Sequence, residues 1–568
     1  MGANLVFALI FFGEDIFLAG IFLSMNEQIL KTVETDMRLS ESCLWDSQKN
    51  FYLTQGMNAW NGQVPFFITS NIFFAQECAR VLVSYCRDLL DQQDQQDQKK
   101  LDLNQPIYIL ELGAGTGQFS FYCLQELNKL WEEFELKKLN FVYLLTDLSP
   151  ENIKFCESHP NFKHWAAEGK IKFLVLDVDD LSPLDFIKNN ANPNPNPILT
   201  IANYLFDSLK QDAFAVNQEK ISEVLLNLEA PEDNFKNGLL SHFDPIKSSF
   251  YPCELSPAGL ENYYEDKIYN LILKTYQKEL QEGCFLVPIG ALDLLNKLLN
   301  LSRGNLLLLA TDKGYSSAQD FEDEEEPSLV SHGSFSFGVN FHALGLWAEK
   351  IGGDVMEIPV SEGIKTSVIL WESRPDIGEI GPWRGESCIR PSREGFKNIN
   401  LNHVLKNQTQ EFALVDFFNF YQNFKNAEKL PMDLLLSLMR WSRWEPYIFA
   451  QFSKKIMRGL GRSSANIITG FIQGIDELLN HMYELPYGED LYLPIAVLLH
   501  SLHFYERALG LYQFSESRAG LGVKFIILFN QGLCYSQLGE GLKAQEKFKQ
   551  AKQIANPEEL ERLEKWLS

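Results

Sequence analysis

The stretch "IYILELGAGTGQFSFY", residues 107–122, decides the fold of this chain. An apolar run of strand length, residues 107–112, is followed by Gly113, Gly115 and Gly117 and then by a helix-like pattern. A strand that enters a helix through a glycine turn is typical of an open α/β sheet, and the bare backbone lets a ligand approach closely. The turn therefore predicts a binding site between this strand and the helix.

Further apolar runs of strand length, separated by helical stretches, lie at residues 141–147, 171–177, 198–204 and 305–312. Continuous apolar runs of this kind predict buried parallel strands. Three of the runs end in Asp147, Asp177 and Asp312, and ligands of open sheets bind outside the carboxyl ends of the strands. Residues 354–360 and 366–372 predict a hairpin that closes the sheet. We therefore predict an α/β, Rossmann-like sheet with helices on both faces, followed by an all-α repeat-like domain.

At 568 residues the chain is long enough for about three domains. The region 25–105 is predicted to be mostly helical and to precede a core at 106–375; its start, "MNEQILKTVETDMRL", is helix-like. Glycine and proline in residues 376–399 predict a linker, and residues 400–568 are predicted to be helical. Within that region, glycine, alanine and aromatic spacings in residues 528–557 resemble a tetratricopeptide helical hairpin, and residues 505–517 resemble the second helix of a preceding, imperfect copy, so repeats are predicted near 505–557. A generic helical cap is the alternative.

The N-terminal segment, residues 1–24, is apolar enough for a membrane anchor, but Glu14 and Asp15 stand at its centre. Each acid costs roughly 2.5 to 3.5 kcal/mol at the centre of a membrane helix. The segment also lacks the basic region of a secretory signal. A mis-set start with the protein beginning at Met25 is the leading interpretation, and an anchor or a packed helix are the alternatives.

Composition limits the partners. The 75 acidic and 50 basic residues give a net charge of −25, which repels nucleic acid and favours a basic peptide or protein. Nine scattered cysteines without a C-x-x-C pair indicate reduced thiols and hence a cytoplasmic location. His500 and His503 have helical spacing, but no further ligand completes a metal site, so none is predicted.

The glycine turn does not fit the two common phosphate motifs. A P-loop needs Gly-Lys-Ser/Thr after four intervening residues, and the first lysine that follows the glycine turn is Lys129. A dinucleotide fingerprint needs a glycine where Gln118 stands. The pattern E-x-G-x-G-x-G, beginning at Glu111, instead resembles motif I of class I S-adenosylmethionine-dependent methyltransferases. A tight turn without this cofactor is the alternative.

The resemblance implies a cofactor role for each residue of the pattern. Gly113, Gly115 and Gly117 admit the methionine and ribose portions, and Glu111 orients the amino group. Asp147 accepts hydrogen bonds from the ribose hydroxyls. Asp177 and its neighbour Val178 stand where this superfamily contacts adenine.

Several segments together resemble one branch, the MidA-type family, whose mitochondrial members methylate a protein arginine during respiratory complex I assembly. The likeness covers roughly residues 50–375, in "FYLT…PFFIT" (51–69), "ELGAGTGQFS" with Ala114 in place of proline, "IANYLFDSLKQDAF" (201–214) and "VNFHALGLWAEKIGG" (339–353). It implies that Asn203 and Asp207 hold the methyl acceptor. A cap and turn pair at the start of a helix is the alternative for these two residues.

Departures from the family pattern leave the substrate open. Tyr204 replaces a glutamate, an acid is absent near Ser334, and Asp312-Lys313-Gly314 stands for Asp-Tyr-Gly. We expect a methyltransferase that acts on a protein side chain, with arginine as the leading acceptor, and a protein substrate or partner held by the helical repeats. The alternatives are a non-catalytic binding protein of the same fold and a small-molecule methyltransferase.

Overall fold

The computed structural model describes residues 30–60, 67–94, 101–188, 196–244, 246–331, 333–361, 363–372, 398–410, 414–426, 430–488 and 490–567. The predicted apolar N-terminal segment, 1–24, and residues 376–397 of the predicted linker lie outside these ranges. The strands in chain order are β1 (Leu30–Arg38), β2 (Ile107–Leu112), β3 (Phe141–Asp147), β4 (Ile171–Val175), β5 (Ile198–Asn203), β6 (Asp212–Asn217), β7 (Lys220–Pro231), β8 (Phe235–Lys236), β9 (Leu239–Leu240), β10 (Lys247–Glu254), β11 (Glu282–Val287), β12 (Leu306–Tyr315), β13 (Val330–Ser331), β14 (Phe335–Ser336), β15 (Val339–Asn340), β16 (Asp354–Ser361) and β17 (Ile364–Trp371). The helices are α1 (Cys43–Gln55), α2 (Phe67–Ser70), α3 (Ile72–Asp94), α4 (Gln118–Glu133), α5 (Pro150–Ser158), α6 (Lys163–Ala167), α7 (Pro257–Glu261), α8 (Lys267–Glu279), α9 (Ile289–Ser302), α10 (Phe341–Lys350), α11 (Ile399–Gln410), α12 (Leu414–Asn426), α13 (Met432–Trp441), α14 (Pro446–Gly459), α15 (Ala465–Asn480), α16 (Tyr492–Ser501), α17 (Tyr505–Glu516), α18 (Leu521–Gln537), α19 (Gly541–Ile554) and α20 (Pro557–Leu567).

The main sheet has the strand order β16-β17-β12-β5-β2-β3-β4. Five neighbouring strands of this sheet are parallel, namely β12, β5, β2, β3 and β4. Strand β17 runs antiparallel to both β12 and β16. The parallel strands and the closing hairpin confirm the predicted α/β fold. The chain moves outward from β2 to β4 and then returns to β5 on the other side of β2. A crevice therefore opens at the carboxyl ends of β2 and β5.

Both faces of the main sheet are covered, as predicted. Alternate side chains of β2 enter different cores: Ile107 and Ile109 pack in one, and Tyr108 and Leu110 in the other. The first core contains α3, α4 and the C-terminal helices, and the second contains α8, α9 and α10. The central strand β2 is therefore buried on both faces, which explains its continuous apolar sequence, whereas the edge strand β4 is partly exposed.

A second, antiparallel sheet, which the sequence analysis did not predict, has the order β1-β7-β6-β11, with β10 also paired to β7. It includes β1, so the helical interpretation was wrong for residues 30–38; the first residues of that predicted stretch, 25–29, lie outside the described ranges. Register shifts interrupt the pairing of β1 with β7 between Thr32 and Glu34 and again between Glu34 and Met37. These bulges disturb the two-residue period of the strand and leave apolar residues at a spacing that resembles a helix.

The helices α11–α20, called here the helical module, pack directly on the first core. Phe417 of α12 stacks on Phe73 of α3 with ring centroids 4.6 Å apart. The buried Asp88 of α3 accepts from the backbone amide of Leu401 at 2.8 Å, and the Glu77 carboxylate of α3 lies 2.7 Å from the Arg443 guanidinium. The module and the sheet therefore share one apolar core.

The end of the module consists of two antiparallel helical pairs, α16 with α17 and α18 with α19. Gly532 of α18 allows close packing, since a Cβ there would meet the Phe548 ring at 2.5 Å. The assignment of these pairs as tetratricopeptide repeats remains a prediction. Within the ranges that the structure describes, no helix combines the length and the apolar character needed to cross a membrane.

Gly474 should be essential to the packing of the helical module. A Cβ at this position in α15 would lie 1.7 Å from the buried indole of Trp444, whereas a Cβ at Gly510 in α17 meets no atom within 4 Å. We expect Gly474→Ala to lower the free energy of unfolding by about 1–3 kcal/mol because of overpacking. Gly510→Ala, the matched control, should raise it by roughly 0.5–1 kcal/mol. Urea unfolding followed by tryptophan fluorescence measures both, and equal midpoints would contradict the packing.

Candidate functional site

The glycine turn between β2 and α4 has a left-handed backbone conformation that residues other than glycine rarely adopt. Gly113, Gly115 and Gly117 have φ values of 69°, 55° and 74°. The Ala114 amide donates to the carbonyl of Thr146 at the end of β3, at 2.9 Å. The turn is thereby held against the neighbouring strand, and its backbone is left open on the side of the crevice.

Asp147, the last residue of β3, fixes the same turn. Its Oδ2 accepts from the Gly115 amide at 2.8 Å, and its Oδ1 accepts from the Ser149 amide at 2.8 Å and from the Asn152 side chain at 3.1 Å. Burial raises the pKa of this carboxyl, and the donated hydrogen bonds oppose that shift. In this arrangement Asp147 holds the glycine turn. Its predicted hydrogen bonds with the ribose hydroxyls would be made in addition to those that it accepts from the protein.

Glu111, the penultimate residue of β2, is buried under the turn. Its Oε2 accepts from the Ser120 hydroxyl at 2.5 Å and from the Tyr143 hydroxyl at 2.8 Å. Burial raises the pKa of Glu111 to about 7, although both hydroxyls favour the ionised form. A carboxyl with this pKa can be ionised by a cation that binds beside it near neutral pH.

A narrow cleft joins several of the predicted residues. Glu111, Gly113, Gly115 and Asn203 line it together with residues outside the prediction, namely Thr69, Ser70, Ala114, Thr116, Phe119 and Tyr204. Both polar side-chain atoms of Asn203 are buried and have no hydrogen-bond partner among the described residues. Because an unpaired buried amide is costly, this side chain marks a place where a polar ligand fits.

Asp207 lies beyond Tyr204 and next to Asp312 of β12. The Asp207 amide donates to Asp312 Oδ2 at 3.1 Å, and the Ser208 hydroxyl donates to Asp207 Oδ1 at 3.1 Å. Both carboxyls are buried, and among the described residues no lysine, arginine or histidine forms an ion pair with either. Burial raises the pKa of Asp207 to about 6, and burial and the nearby Asp207 charge raise that of Asp312 well above its usual range.

The cap and turn alternative for Asn203 and Asp207 does not describe this arrangement. Residues Phe206–Ser208 form a single 3-10 turn, and strand β6 follows in place of a helix. Tyr204 has a left-handed backbone, with φ of 49°, and its amide donates to the Thr311 carbonyl at 2.8 Å. Strain of this kind in a non-glycine residue is typical of functional sites.

Asp177 and Val178 are not among the residues that line the cleft. Asp177 lies two residues beyond β4, where its carboxylate is 2.6 Å from the ammonium of Lys49 and accepts from the Asp179 amide at 3.0 Å. Val178 packs at the edge of the second core. An adenine contact of Asp177 therefore requires a rearrangement of its ion pair with Lys49.

The structure adds residues that sequence reasoning missed. Tyr52 of α1 lies near the carboxylate pair, and burial and the Asp207 charge raise its pKa. Tyr483 of the helical module donates to the Thr116 carbonyl inside the glycine turn at 2.8 Å. Phe51 and its neighbours were noted only through the family resemblance, and no sequence signal marked Tyr483. Among the described residues no group of three or more histidine, cysteine or acidic side chains is arranged to hold a metal ion.

Comparisons with known proteins matched one family model and two solved structures. Residues 81–296 match a family model described as "Putative S-adenosyl-L-methionine-dependent methyltransferase". The comparison with solved structures matched two crystal structures from Burkholderia thailandensis: an uncharacterized protein at 12% identity and a "likely methyl transferase" bound to S-adenosyl-homocysteine at 11% identity. Each comparison covers 58% of this chain and 93% of the other, with a TM-score of 0.32. No significant match was found among curated proteins.

The matched segment runs from α3 to α9 and contains the glycine turn, Asp147, Asn203 and Asp207. The open glycine turn and the unpaired amide of Asn203 fit a ligand with polar groups, such as this cofactor. The family match thus confirms two sequence predictions: through residues 81–296, this chain is an S-adenosyl-L-methionine-dependent methyltransferase, and S-adenosyl-L-methionine is its cofactor.

Proposed function

We propose that this methyltransferase acts on an arginine side chain of a protein. The observation that carries the proposal is the pair of buried carboxyls, Asp207 and Asp312, beside the cleft that the glycine turn lines. A guanidinium group presents several N–H donors in one plane, and two neighbouring carboxylates can accept them in pairs. Asp207 is the acid that the sequence predicts for this role, and Asp312 supplies a second carboxyl beside it.

Charge supports the same substrate. Burial raises the pKa of both carboxyls, and the nearby Asp207 charge raises the pKa of Asp312 further, so the pair without a cation favours a bound proton near neutral pH. A guanidinium that enters between them replaces the proton by a permanent positive charge. The net charge of −25 further favours the approach of a basic protein segment.

The residues of the site would divide the work as follows. Glu111 and Asn203 bind the polar groups of S-adenosyl-L-methionine, which supplies an electrophilic methyl group. Asp207 and Asp312 orient the guanidinium, and one of them accepts the proton that its nitrogen loses when the new nitrogen–carbon bond forms. Tyr204 lines the cleft and lies near the carboxyls of Asp207 and Asp312, where its ring would limit access of water to the reacting nitrogen.

The resemblance to the MidA-type family supports the proposal independently of geometry, since mitochondrial members of that family methylate a protein arginine. A small-molecule acceptor and a non-catalytic role are the alternatives. Incubation of the protein with labelled S-adenosyl-L-methionine and a cell lysate, followed by acid hydrolysis, separates them. Labelled methylarginine supports the proposal, label on a metabolite alone contradicts it, and a lack of S-adenosylhomocysteine contradicts catalysis.

A cytoplasmic location, which we also propose, is supported by the thiols. Eight cysteines lie in the described residues, all of them free and most of them buried: Cys43, Cys78, Cys86, Cys123, Cys156, Cys253, Cys284 and Cys534. Unpaired thiols are typical of proteins in reducing compartments.

We further propose that the helical module binds a protein partner. Large apolar side chains are exposed on its last helices: Val523 and Ile526 lie one turn apart on α18, and Leu542 at the start of α19 is 85% exposed. Val523 and Ile526 therefore form a small exposed apolar surface on α18, which is typical of protein-binding surfaces, whereas Leu542 lies at the other end of the α18–α19 pair.

The Asp207→Asn variant should bind the cofactor with nearly unchanged affinity and transfer the methyl group at least about tenfold more slowly. A loss of about 1.4 kcal/mol of transition-state alignment is sufficient for that decrease. Steady-state kinetics with an arginine peptide and calorimetry with S-adenosylhomocysteine measure the two quantities. Asp185→Asn, which changes an exposed acid paired with Lys188, is the matched control and should behave as wild type. Full activity in Asp207→Asn would remove this residue from the mechanism.

Cofactor affinity should depend on pH through Glu111. Because burial raises the pKa of Glu111 to about 7, the ligand-free carboxyl is neutral below that pH and ionised above it. The positive amino group of the cofactor binds the ionised form, so affinity should increase as pH rises through about 7 and decrease as pH falls. Calorimetry with S-adenosylhomocysteine across this range measures the effect. Glu111→Gln should bind more weakly and lose the dependence; a variant with the wild-type pH profile would contradict the role of Glu111.

The double variant Val523→Asp/Ile526→Asp should lose partner proteins in affinity capture from lysate while it retains S-adenosylhomocysteine binding. Charges on an apolar interface are costly to desolvate, so capture should decrease strongly. Leu434→Asp changes a similarly exposed leucine on α13 and is the matched control. An unchanged set of captured proteins would contradict this surface.

A further inference from the structure

The helical module reaches into the cofactor site through the segment that connects α15 to α16. Tyr483 in this segment donates its hydroxyl hydrogen to the Thr116 carbonyl at 2.8 Å. Its ring stacks on His159, with centroids 4.1 Å apart and an interplanar angle of 17°. The Tyr483 ring also packs against the ring of Phe121 in α4, with ring centroids 5.4 Å apart. A residue far along the chain is thereby fixed against the glycine turn.

The segment is held by more than one contact. Asn161 donates its side-chain amide to the Met482 carbonyl at 2.8 Å, and Gln125 donates to the Asn480 carbonyl at 2.8 Å. The His159 ring lies 3.1 Å from the Glu484 carbonyl oxygen. Side chains of the sheet domain thus satisfy three carbonyl groups of the segment, which fixes the position of Tyr483 between them.

The Tyr483 hydroxyl also limits what the glycine turn can do. A Cβ at Gly117 would lie 2.9 Å from this hydroxyl and 2.7 Å from the sulfur of Cys156. Since the peptide bond is planar, a hydrogen bond to the Thr116 carbonyl also orients the amide of Gly117, the residue that precedes α4. The module therefore restricts the backbone at the end of the turn.

A second contact of the module lies on the other rim of the cleft. The Glu445 carboxylate, before α14, accepts from the Ile72 amide at 3.0 Å. Ile72 begins α3 and follows Thr69 and Ser70, which line the cleft. Glu445 also accepts from the Tyr447 amide at 3.2 Å, so one side chain caps both α3 and α14. The helical module thus contacts the glycine turn through Tyr483 and the start of α3, next to the cleft residues Thr69 and Ser70, through Glu445.

We propose that Tyr483 is a positioning residue of the cofactor site and that the helical module completes this site. The inference rests on the assignment of S-adenosyl-L-methionine as the cofactor. A turn with three left-handed glycines can adopt many conformations when it is free, and a ligand binds only the fraction that has the right one. The hydrogen bond from Tyr483 increases that fraction, so cofactor affinity depends on the docking of the module.

The experiment compares Tyr483→Phe with the wild-type full-length chain. This change keeps the ring on His159 and removes only the hydroxyl. Tyr487→Phe is the matched control, because the Tyr487 hydroxyl in the same segment is buried without a hydrogen-bond partner among the described residues. Two quantities are measured: hydrogen exchange of the amides of residues 113–119 in the ligand-free protein, and the affinity for S-adenosylhomocysteine.

We expect Tyr483→Phe to exchange these amides faster and to bind S-adenosylhomocysteine about three- to tenfold more weakly, the range of one net hydrogen bond. The control should match wild type in both. Unchanged exchange in Tyr483→Phe, or faster exchange with unchanged affinity, would overturn the inference. A wild-type protein that binds no S-adenosylhomocysteine, with exchange still dependent on Tyr483, would overturn the cofactor assignment, and the role of Tyr483 in cofactor binding with it.

Discussion

The hydrogen bond between the Gly115 amide and the Asp147 carboxylate connects most parts of the site. Asp147 ends β3, and through this bond it holds the turn that follows β2. Through its other oxygen it accepts from Ser149, whose side chain in turn caps α5. His159 directly follows α5 and carries the ring of Tyr483. One buried carboxylate therefore determines the positions of the turn, of a helix and of the surface on which the helical module docks.

Buried acids dominate the region around the cleft. Glu111, Asp147, Asp207 and Asp312 are all buried, and burial raises the pKa of each. Such groups are costly to ionise alone, so the ligand-free site favours protons or incoming positive charge. A sulfonium cofactor with an ammonium group and a guanidinium substrate both bring that charge. The electrostatics of the site thus favour cations at both of its ends.

The sequence was sufficient for the parts of the fold that depend on local pattern. The central strands of the main sheet, such as β2 and β5, are buried on both faces and read as apolar runs, and the glycine spacing marks the turn between β2 and α4. β1 could not be predicted in this way, because two bulges remove the alternation that identifies a strand. Its pairing with β7 is a tertiary contact that has no local signal.

The candidate site was predictable to a similar extent. Glu111 and Asn203 lie at the carboxyl ends of β2 and β5, and Gly113 follows β2 directly, so topology brings them to one cleft. The partnership of Asp207 with Asp312 joins residues 105 positions apart, and that of Tyr483 with Thr116 joins residues 367 positions apart. Contacts of this range depend on how whole elements pack. Neither partnership could be inferred from spacing.

The second sheet has a consequence for the synthesis of the chain. β1 lies near the N-terminus, yet its partner β7 ends at Pro231, about 200 residues later. At the usual rate of about 5–20 residues per second, roughly 10–40 s pass before the ribosome delivers that partner. During this time the backbone amides and carbonyls of β1 are available to other strands. The second sheet therefore cannot form until β7 has been synthesised. During that interval the unpaired β1 of the nascent chain is available for aggregation and for chaperone binding.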